Sequence, residues 1–575
     1  MSRTDLVLLH APSIHDFRQR AALLGPLSDL IPSSPVFEMY PLGFLTLASY
    51  LEARGLRVRL VNLALRMLAE PRFTIRPFLA RLRPKLFGLD LHWLPHAHGA
   101  LEVARILKEL HPEVPVVAGG LSASYYWREL ISYPQIDYVL RGDSAEEPLY
   151  RLLKSIIDRR PVADVPNLVW RDGNGIRANE LAFLPDSLDY VDLRPDRLIR
   201  HVLRYWDRLS LMPYGGWWAN PVTAILTVKG CTHSCATCGG SREALPKVSG
   251  RERPAYRSPE SVLKNIADIA SFSRGPIFLI GDIRQPGEEY AAELLRLLRE
   301  RPVGNELIFE LFAPAERGFL LELGRSVRNW TLEFSPESHD PEVRWVHDPT
   351  TSYSNEELEG TIRYALEAGC HRFDLFFMTG LARQSYGSVL ATIDYAARLF
   401  QRFDRRLSCF ISPLGPFLDP GSRAFEEPER LGYKLFARSL EEHRQLLLQP
   451  TWGEMLNYET AWMSREELVQ ATYAAGEKLN KLKVESGRIS PRRAAAVAAR
   501  IARARELERR LDDYSRRKRE PPEELREEAR RFSASTVCDK RELGWPSQLL
   551  NFRPLGIARA LLSRAGSPDS DHPAR

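Results

Sequence analysis

Thr227-Val-Lys-Gly-Cys231-Thr-His-Ser-Cys235-Ala-Thr-Cys238-Gly-Gly240 gathers three of the chain's six cysteines behind a short apolar run. Gly230 lets a strand turn sharply into a loop, and Gly239 and Gly240 leave that loop open beside a ligand. Three thiols so spaced point to a metal. A structural zinc site needs four ligands in a closed tetrahedron, and His233 lies between the first two cysteines; yet no second pair follows, since Cys370, Cys409 and Cys538 stand alone. A disulfide is disfavoured by three crowded thiols in a chain whose start lacks a signal-peptide pattern. A cubane iron–sulfur cluster normally takes four thiolates, so three leave one iron open to a ligand that is not protein. An open iron is a reaction site.

Downstream, helical-period and strand-like runs alternate: Val262 to Ile269 then Ile277 to Ile280, Ala291 to Leu298 then Leu307 to Leu311, Leu320 to Leu323 then Trp330 to Phe334. Ile362 to Ala368 then Phe373 to Phe377, and Val389 to Phe400 then Ser408 to Ile411, continue the pattern. With the strand before Cys231 this predicts a partial (β/α)6 barrel over 221–425, with chemistry at the carboxyl ends of the strands. Those ends read Gly281-Asp282, Glu333-Phe-Ser335-Pro336-Glu337-Ser338, Phe377-Met-Thr-Gly380-Leu381 and Ser412-Pro-Leu-Gly-Pro416. The last is a proline-rich rim. From Glu426 to 562 the pattern turns helical; Tyr458, Glu459 and Trp462 either face a substrate or pack against the barrel. The Arg-, Glu- and Ala-rich stretch 491–531 reads as a solvated helical face, not an RNA-binding surface, and 563–575 as a disordered tail.

Upstream, over 1–185, strand-like runs at Leu6 to Leu9, Val58 to Val61, Leu86 to Leu91, Val116 to Ala118 and Tyr138 to Leu140 alternate with helical segments. This predicts an α/β fold, a doubly wound parallel sheet whose ligands sit outside the carboxyl ends of its strands. The loops there contain Ser13, Asp90-Leu-His92-Trp93, Gly119-Gly120-Leu-Ser122 and Arg141-Gly142-Asp143. Residues 166–178 read as a closing hairpin turned at Asp172-Gly-Asn-Gly175. The aromatic-rich linker 186–220 reads as an interdomain wrap, or else Trp217 or Trp218 borders a shared cavity.

At 575 residues and 44% hydrophobic content the chain can bury two or three cores. Its net charge of +6, from 80 basic and 74 acidic residues, gives no general case for nucleic acid. No apolar run reaches membrane-spanning length, so a cytoplasmic protein without a membrane span is expected.

The cysteine motif resembles that of the radical S-adenosylmethionine (SAM) enzymes, with Thr237 where the family often has an aromatic residue. The resemblance implies a 4Fe–4S cluster on Cys231, Cys235 and Cys238, and SAM chelated to the open iron and cleaved to a 5'-deoxyadenosyl radical. It implies that Gly281 and Asp282 meet the methionyl amino group, and that Ser335 and Glu337 meet the ribose and carboxylate, with Arg344 a possible fork partner or a surface residue. Gly380 and Leu381 would line the adenine. The first domain resembles the cobalamin-binding domain of cobalamin-dependent radical enzymes, which implies corrin contacts at Ser13, His92, Gly119, Gly120, Ser122 and Gly142. Asp90-x-His92-x-x-Pro95 follows the third strand and lacks the glycine of the D-x-H-x-x-G signature. His92, His96 and His98 are therefore read as helix-entry or pocket-lining residues, not as cobalt ligands.

The resulting expectation is a radical enzyme that methylates an unactivated carbon of a small molecule, supplied with electrons by a low-potential donor such as ferredoxin or flavodoxin. A cyclisation or rearrangement with the same cofactors is the alternative. A zinc or nucleic-acid binding protein without catalysis is the alternative of another class. No cysteine precedes Cys231, where the methylthiotransferases carry a second cluster, and Cys538 is alone where auxiliary clusters need grouped cysteines. The catalytic residues and the substrate are not legible.

Overall fold

The computed structural model describes residues 4–27, 42–191, 195–212, 214–532, 537–545 and 551–562. The tail 563–575 lies outside them. β1 (Leu6–His10) is buried at every position, as a strand covered on both faces must be. With β2 (Val58–Asn62), β3 (Leu86–Asp90), β4 (Val116–Gly119) and β5 (Tyr138–Leu140) it forms a parallel sheet in the order β2-β1-β3-β4-β5. The hairpin of β6 (Leu168–Arg171) and β7 (Ile176–Ala178) extends it antiparallel beyond β5. The strand order reverses between β1 and β3. In a doubly wound sheet that switch point opens a crevice at the carboxyl ends, so the loops at Ser13 and His92 flank it.

The second sheet begins with β8 (Thr223–Leu226). A short antiparallel pair, β9 (Val228–Lys229) and β10 (Ala255–Tyr256), follows it. Then come β11 (Ile277–Ile280), β12 (Leu307–Leu311), β13 (Trp330–Glu337), β14 (Phe373–Thr379) and β15 (Leu407–Pro413). All six long strands are parallel and lie in sequence order from β8 to β15, and among the described residues β8 and β15 do not pair. The sheet is an open, partial barrel. Phe309, Leu332, Phe334, Phe373 and Leu375 face outward into one core with Val262, Leu294, Leu320 and Ile362 of the surrounding helices.

The barrel's amino-terminal end is plugged from far along the chain. Trp545 packs with Val222 and Ile308, and Leu543 with Phe376 and Phe410. Arg372 donates to the carbonyls of Glu542 (2.6 Å) and Gly544 (2.9 Å). Trp217 and Trp218 pack on Phe552, and the Trp217 indole donates to Val222 O at the start of β8. They wrap the end of the barrel opposite to the cysteines.

The last region includes β16 (Tyr433–Leu435), β17 (Tyr458–Thr460) and the helices Arg465–Glu485 and Pro491–Arg516. Tyr458 is buried beneath Gly380, a packing role. Leu23 of the first domain joins Leu507, Leu511 and Leu525 in one cluster, so this region clasps both modules. Among the described residues no helix is long and apolar enough to cross a membrane.

Candidate active site

Gly230 takes φ +91°, and the space a Cβ would need is filled by Leu245. The chain therefore leaves the β9 strand at an angle only glycine adopts freely, and the cysteine loop folds over the barrel mouth. The sulfurs are met by donors: Gln285 Nε2 lies 2.9 Å from Cys231 Sγ, His233 N 3.4 Å from the same atom, and Gly240 N 3.3 Å from Cys238 Sγ. His233 does not reach toward the thiols as a fourth ligand. Its Nδ1 is 2.8 Å from Asp348 Oδ2, and Ser234 N donates to the other oxygen at 3.1 Å. Burial opposes ionisation of Asp348, but hydrogen bonds from His233, Thr350 and Thr351 hold its carboxyl well below the usual range. Burial pushes the Cys231 and Cys235 thiols up, so a metal entering here displaces protons.

The strand ends present a mixed picture. Gly281, at φ +99°, donates its N–H to Glu310 at 3.0 Å. The Asp282 carboxylate is already occupied, gripped by Arg284 at 2.5 Å and by Phe312 N at 3.1 Å. Ser335 and Glu337 sit at a register break in β13, and Glu337 adopts φ +66°. That left-handed turn brings its carboxylate to 3.1 Å from His347 Nε2, beside Cys235. Arg344 is neither a fork partner nor a surface residue: it is buried and tied to the carbonyls of Ser338 and Tyr353. The amides of Gly380 and Leu381 both donate to Gln384 Oε1, and Gly380 O accepts from Tyr433. Only their outer faces are left for a ligand. Sequence reasoning missed Gln285 and His347, because a polar residue in a loop carries no signal until a sulfur or a carboxylate is seen beside it.

At the switch point of the first sheet, His10 Nδ1 and His92 Nδ1 both contact Asp90 Oδ2, at 2.9 and 2.7 Å. His96 packs at a tilt against both rings and bonds Ala11 O. Burial opposes the charge on Asp90, yet the attraction and hydrogen bonds of the two histidines hold it well below the carboxylate range. Asp90 Oδ1 is buried with no partner. His98 lies apart, accepting from His15 N. Gly119 O accepts from Leu91 N, and Gly120, at φ +119°, abuts the backbone of His92. Ser122 lies in the first turn of the short helix Leu121–Tyr125, and Ser124 Oγ links Gly120 O to Gly142 N, at 2.8 and 2.9 Å. Ser13 is buried, with its carbonyl on Gly99 N. The predicted first-domain residues thus fall on loops at one edge of the sheet.

The two sets of loops meet. Trp93 Nε1 donates to Asp419 Oδ1 at 2.8 Å, while Asp419 Oδ2 accepts from Gly239 N at 2.9 Å, one residue beyond Cys238. Asp419 N donates to Thr237 O. Lys229 reaches Ser144 at 3.2 Å, and Arg251 pairs with Asp143 at 2.5 Å. Trp93→Phe keeps the ring and removes one donor to a desolvated carboxylate. It is expected to cost about 1–3 kcal/mol, read as a lowered thermal midpoint at unchanged iron content.

Three thiols at the mouth of a partial barrel, facing the switch point of a doubly wound sheet, define a two-module cofactor protein. The B12 binding domain model matches residues 30–152 and the Radical SAM superfamily model residues 225–396. The chain belongs to the radical SAM proteins that carry a B12-binding domain. It is 26% identical over 290 residues to the hopanoid C-3 methylase of Methylococcus capsulatus, a match covering 49% of this chain and 50% of that protein. The chain therefore spans about half the length of this curated relative. Among solved structures it resembles the radical SAM methyltransferase TsrM from Kitasatospora setae with cobalamin and a 4Fe–4S cluster bound (TM-score 0.58, 18% identity, 85% of this chain and 89% of that one). It also resembles the cobalamin-dependent radical enzyme OxsB with aqua-cobalamin and SAM bound (TM-score 0.52, 13% identity, 94% and 78%).

The residues present fit the groups this family uses. Donors meet the Cys231 and Cys238 sulfurs as they meet cluster thiolates. The orphaned Asp90 Oδ1 and the Gly119-Gly120 turn mark a polar crevice in the first sheet.

Proposed function

We propose that the chain is a cobalamin- and SAM-dependent radical methyltransferase acting on an unactivated carbon of a small molecule. The observation that carries this reading is the Trp93–Asp419–Gly239 bridge, which holds the crevice loop of the first domain against the cysteine loop. Methylating an unactivated carbon requires the two reacting centres in one dry chamber. When bound, the cluster with SAM supplies a hydrogen-abstracting radical and cobalamin supplies the methyl group.

The chain's own residues bind and orient. Cys231, Cys235 and Cys238 hold the cluster, with Gln285 donating to the first sulfur. Gly281, Ser335 and Glu337 border the SAM side, where His347 fixes the Glu337 carboxylate. Asp282 acts there through its backbone, because Arg284 occupies its side chain. Gly380 and Leu381 offer an apolar edge to the adenine. Ser13, His92, Gly119, Gly120, Ser122 and Gly142 border the corrin. Residence in the cytoplasm and reduction by ferredoxin or flavodoxin belong to the same proposal, because such a cluster needs a reducing compartment and a low-potential electron.

The test is anaerobic reconstitution with cluster and cobalamin, then incubation with methyl-deuterated SAM and a low-potential reductant. Release of 5'-deoxyadenosine, with deuterated methyl on the cobalamin, is the expected result. Deoxyadenosine release without label on cobalamin moves the reading to a cyclisation or rearrangement. Zinc without iron in anaerobically purified protein ends the enzyme reading.

A further inference from the structure

The barrel lumen carries a row of acids. Glu310 on β12 lies directly opposite Glu333 on β13, which lies opposite Asp374 on β14, with Ser408 of β15 next in line. Side chains in register on adjacent strands point to the same face. Ile308, two residues before Glu310, meets Trp545 of the plug, and Phe376, two residues after Asp374, meets Leu543. The face is therefore the lumen. Glu310 reaches the mouth through Gly281 N, and Asp374 lies toward the plug, so the row runs down the chamber wall from the cluster loop.

The cations do not balance it. Arg372, whose field reaches Glu333, is committed to Asp374 at 2.6 Å and to the plug carbonyls, and Lys483 pairs with Glu542 at 2.7 Å. Glu333 is only 7% exposed, and among the described residues it has neither an ion pair nor a hydrogen bond. Two further polar atoms on this wall, Thr331 Oγ1 and Asp374 Oδ1, are buried without a partner. A desolvated carboxylate with no partner is costly, and so is each orphaned polar atom beside it. A row of them in a reaction chamber is explained by a ligand that completes it.

We infer that Glu333, within the Glu310–Glu333–Asp374 row, binds an organic ammonium group of the substrate, so that the substrate class is a small amine with an apolar body lying against Phe376 and Phe410. The inference rests on the barrel being the reaction chamber of the proposed methyltransferase. Burial and the neighbouring Asp374 and Glu310 push the Glu333 carboxyl well up, against the smaller pull of Arg372, which favours its protonated form. An incoming cation then displaces that proton, and ammonium affinity rises with pH where that of a neutral ligand stays level.

The probes are para-fluorobenzylammonium and the uncharged para-fluorobenzyl alcohol, titrated by fluorine NMR into the full-length, cluster-reconstituted protein. The ammonium is expected to bind about tenfold or more tightly than the alcohol at neutral pH, with a preference that widens as pH rises. Glu333→Gln, nearly isosteric, should bring the two to within about threefold while leaving iron content and S-adenosylhomocysteine affinity unchanged. Equal binding of both probes by the unaltered protein overturns the inference, as does an undiminished preference in Glu333→Gln. A parallel fall in S-adenosylhomocysteine affinity also overturns it, by assigning the row to the methionyl ammonium. The pH series on the unaltered protein keeps the test independent of the variant's folding. Failure to assemble any iron–sulfur cluster is a different outcome, which removes the proposed function itself.

Discussion

Cys235→Ala, reconstituted anaerobically, is expected to retain no 4Fe–4S cluster and to lose at least about a thousandfold in 5'-deoxyadenosine release, the scale on which one member of a mutually dependent set fails. Cys235 is the middle thiol of the loop, beside Glu337 and His347, and neither of these restores a soft thiolate ligand. The fold should survive, since the loop is pinned independently through Ala236 N to His347 O, Ala424 N to Ala236 O and Arg423 to Ser234 O. Iron analysis, the electron paramagnetic resonance signal after reduction and a thermal midpoint separate these effects. Full deoxyadenosine release from this variant would contradict the assigned cluster.

Gly120→Ala is expected to abolish cobalamin binding and to destabilise the first domain by several kcal/mol. Two costs add. The φ of +119° is strained for any L side chain, at about 1–3 kcal/mol. The new Cβ would also lie 2.4 Å from His92 Cα and 2.5 Å from His92 N, both backbone atoms of the crevice loop, so His92 and its link to Asp90 must shift. Gly287 provides the control. It has nearly the same φ, +121°, but nothing within 4 Å of its Cβ position, so Gly287→Ala carries the backbone cost alone. Thermal melts of both variants and cobalamin retention after gel filtration measure the difference; equal losses would remove the steric account.

Much of the architecture is legible locally. Alternating strand and helix periods mark both α/β modules, because a strand buried on both faces and an amphipathic helix write different periods into the chain. The first-domain loops are legible too, since a doubly wound sheet collects its ligands at strand ends whatever the side chains. The strand-end residues of the barrel are less so. Asp282 has the spacing of a ligand residue, but Arg284, two positions on, takes its carboxylate. Arg344 turns inward to satisfy loop carbonyls, a role that depends on where residues 338 and 353 come to lie.

By itself the sequence determined the three-thiol loop, the order of the two modules and the strand ends that carry the candidate site loops, because these follow from covalent spacing and from periods a few residues long. Only the tertiary structure decided what those strand ends face. Trp93 and Asp419 are 326 positions apart and meet because the domains dock. Residues 537–545 close the barrel floor from a distance in sequence that no periodicity spans. Glu310, Glu333 and Asp374 each stand at an ordinary alternating strand position. They become a single row only through inter-strand register, a non-local property set by packing the whole barrel at once.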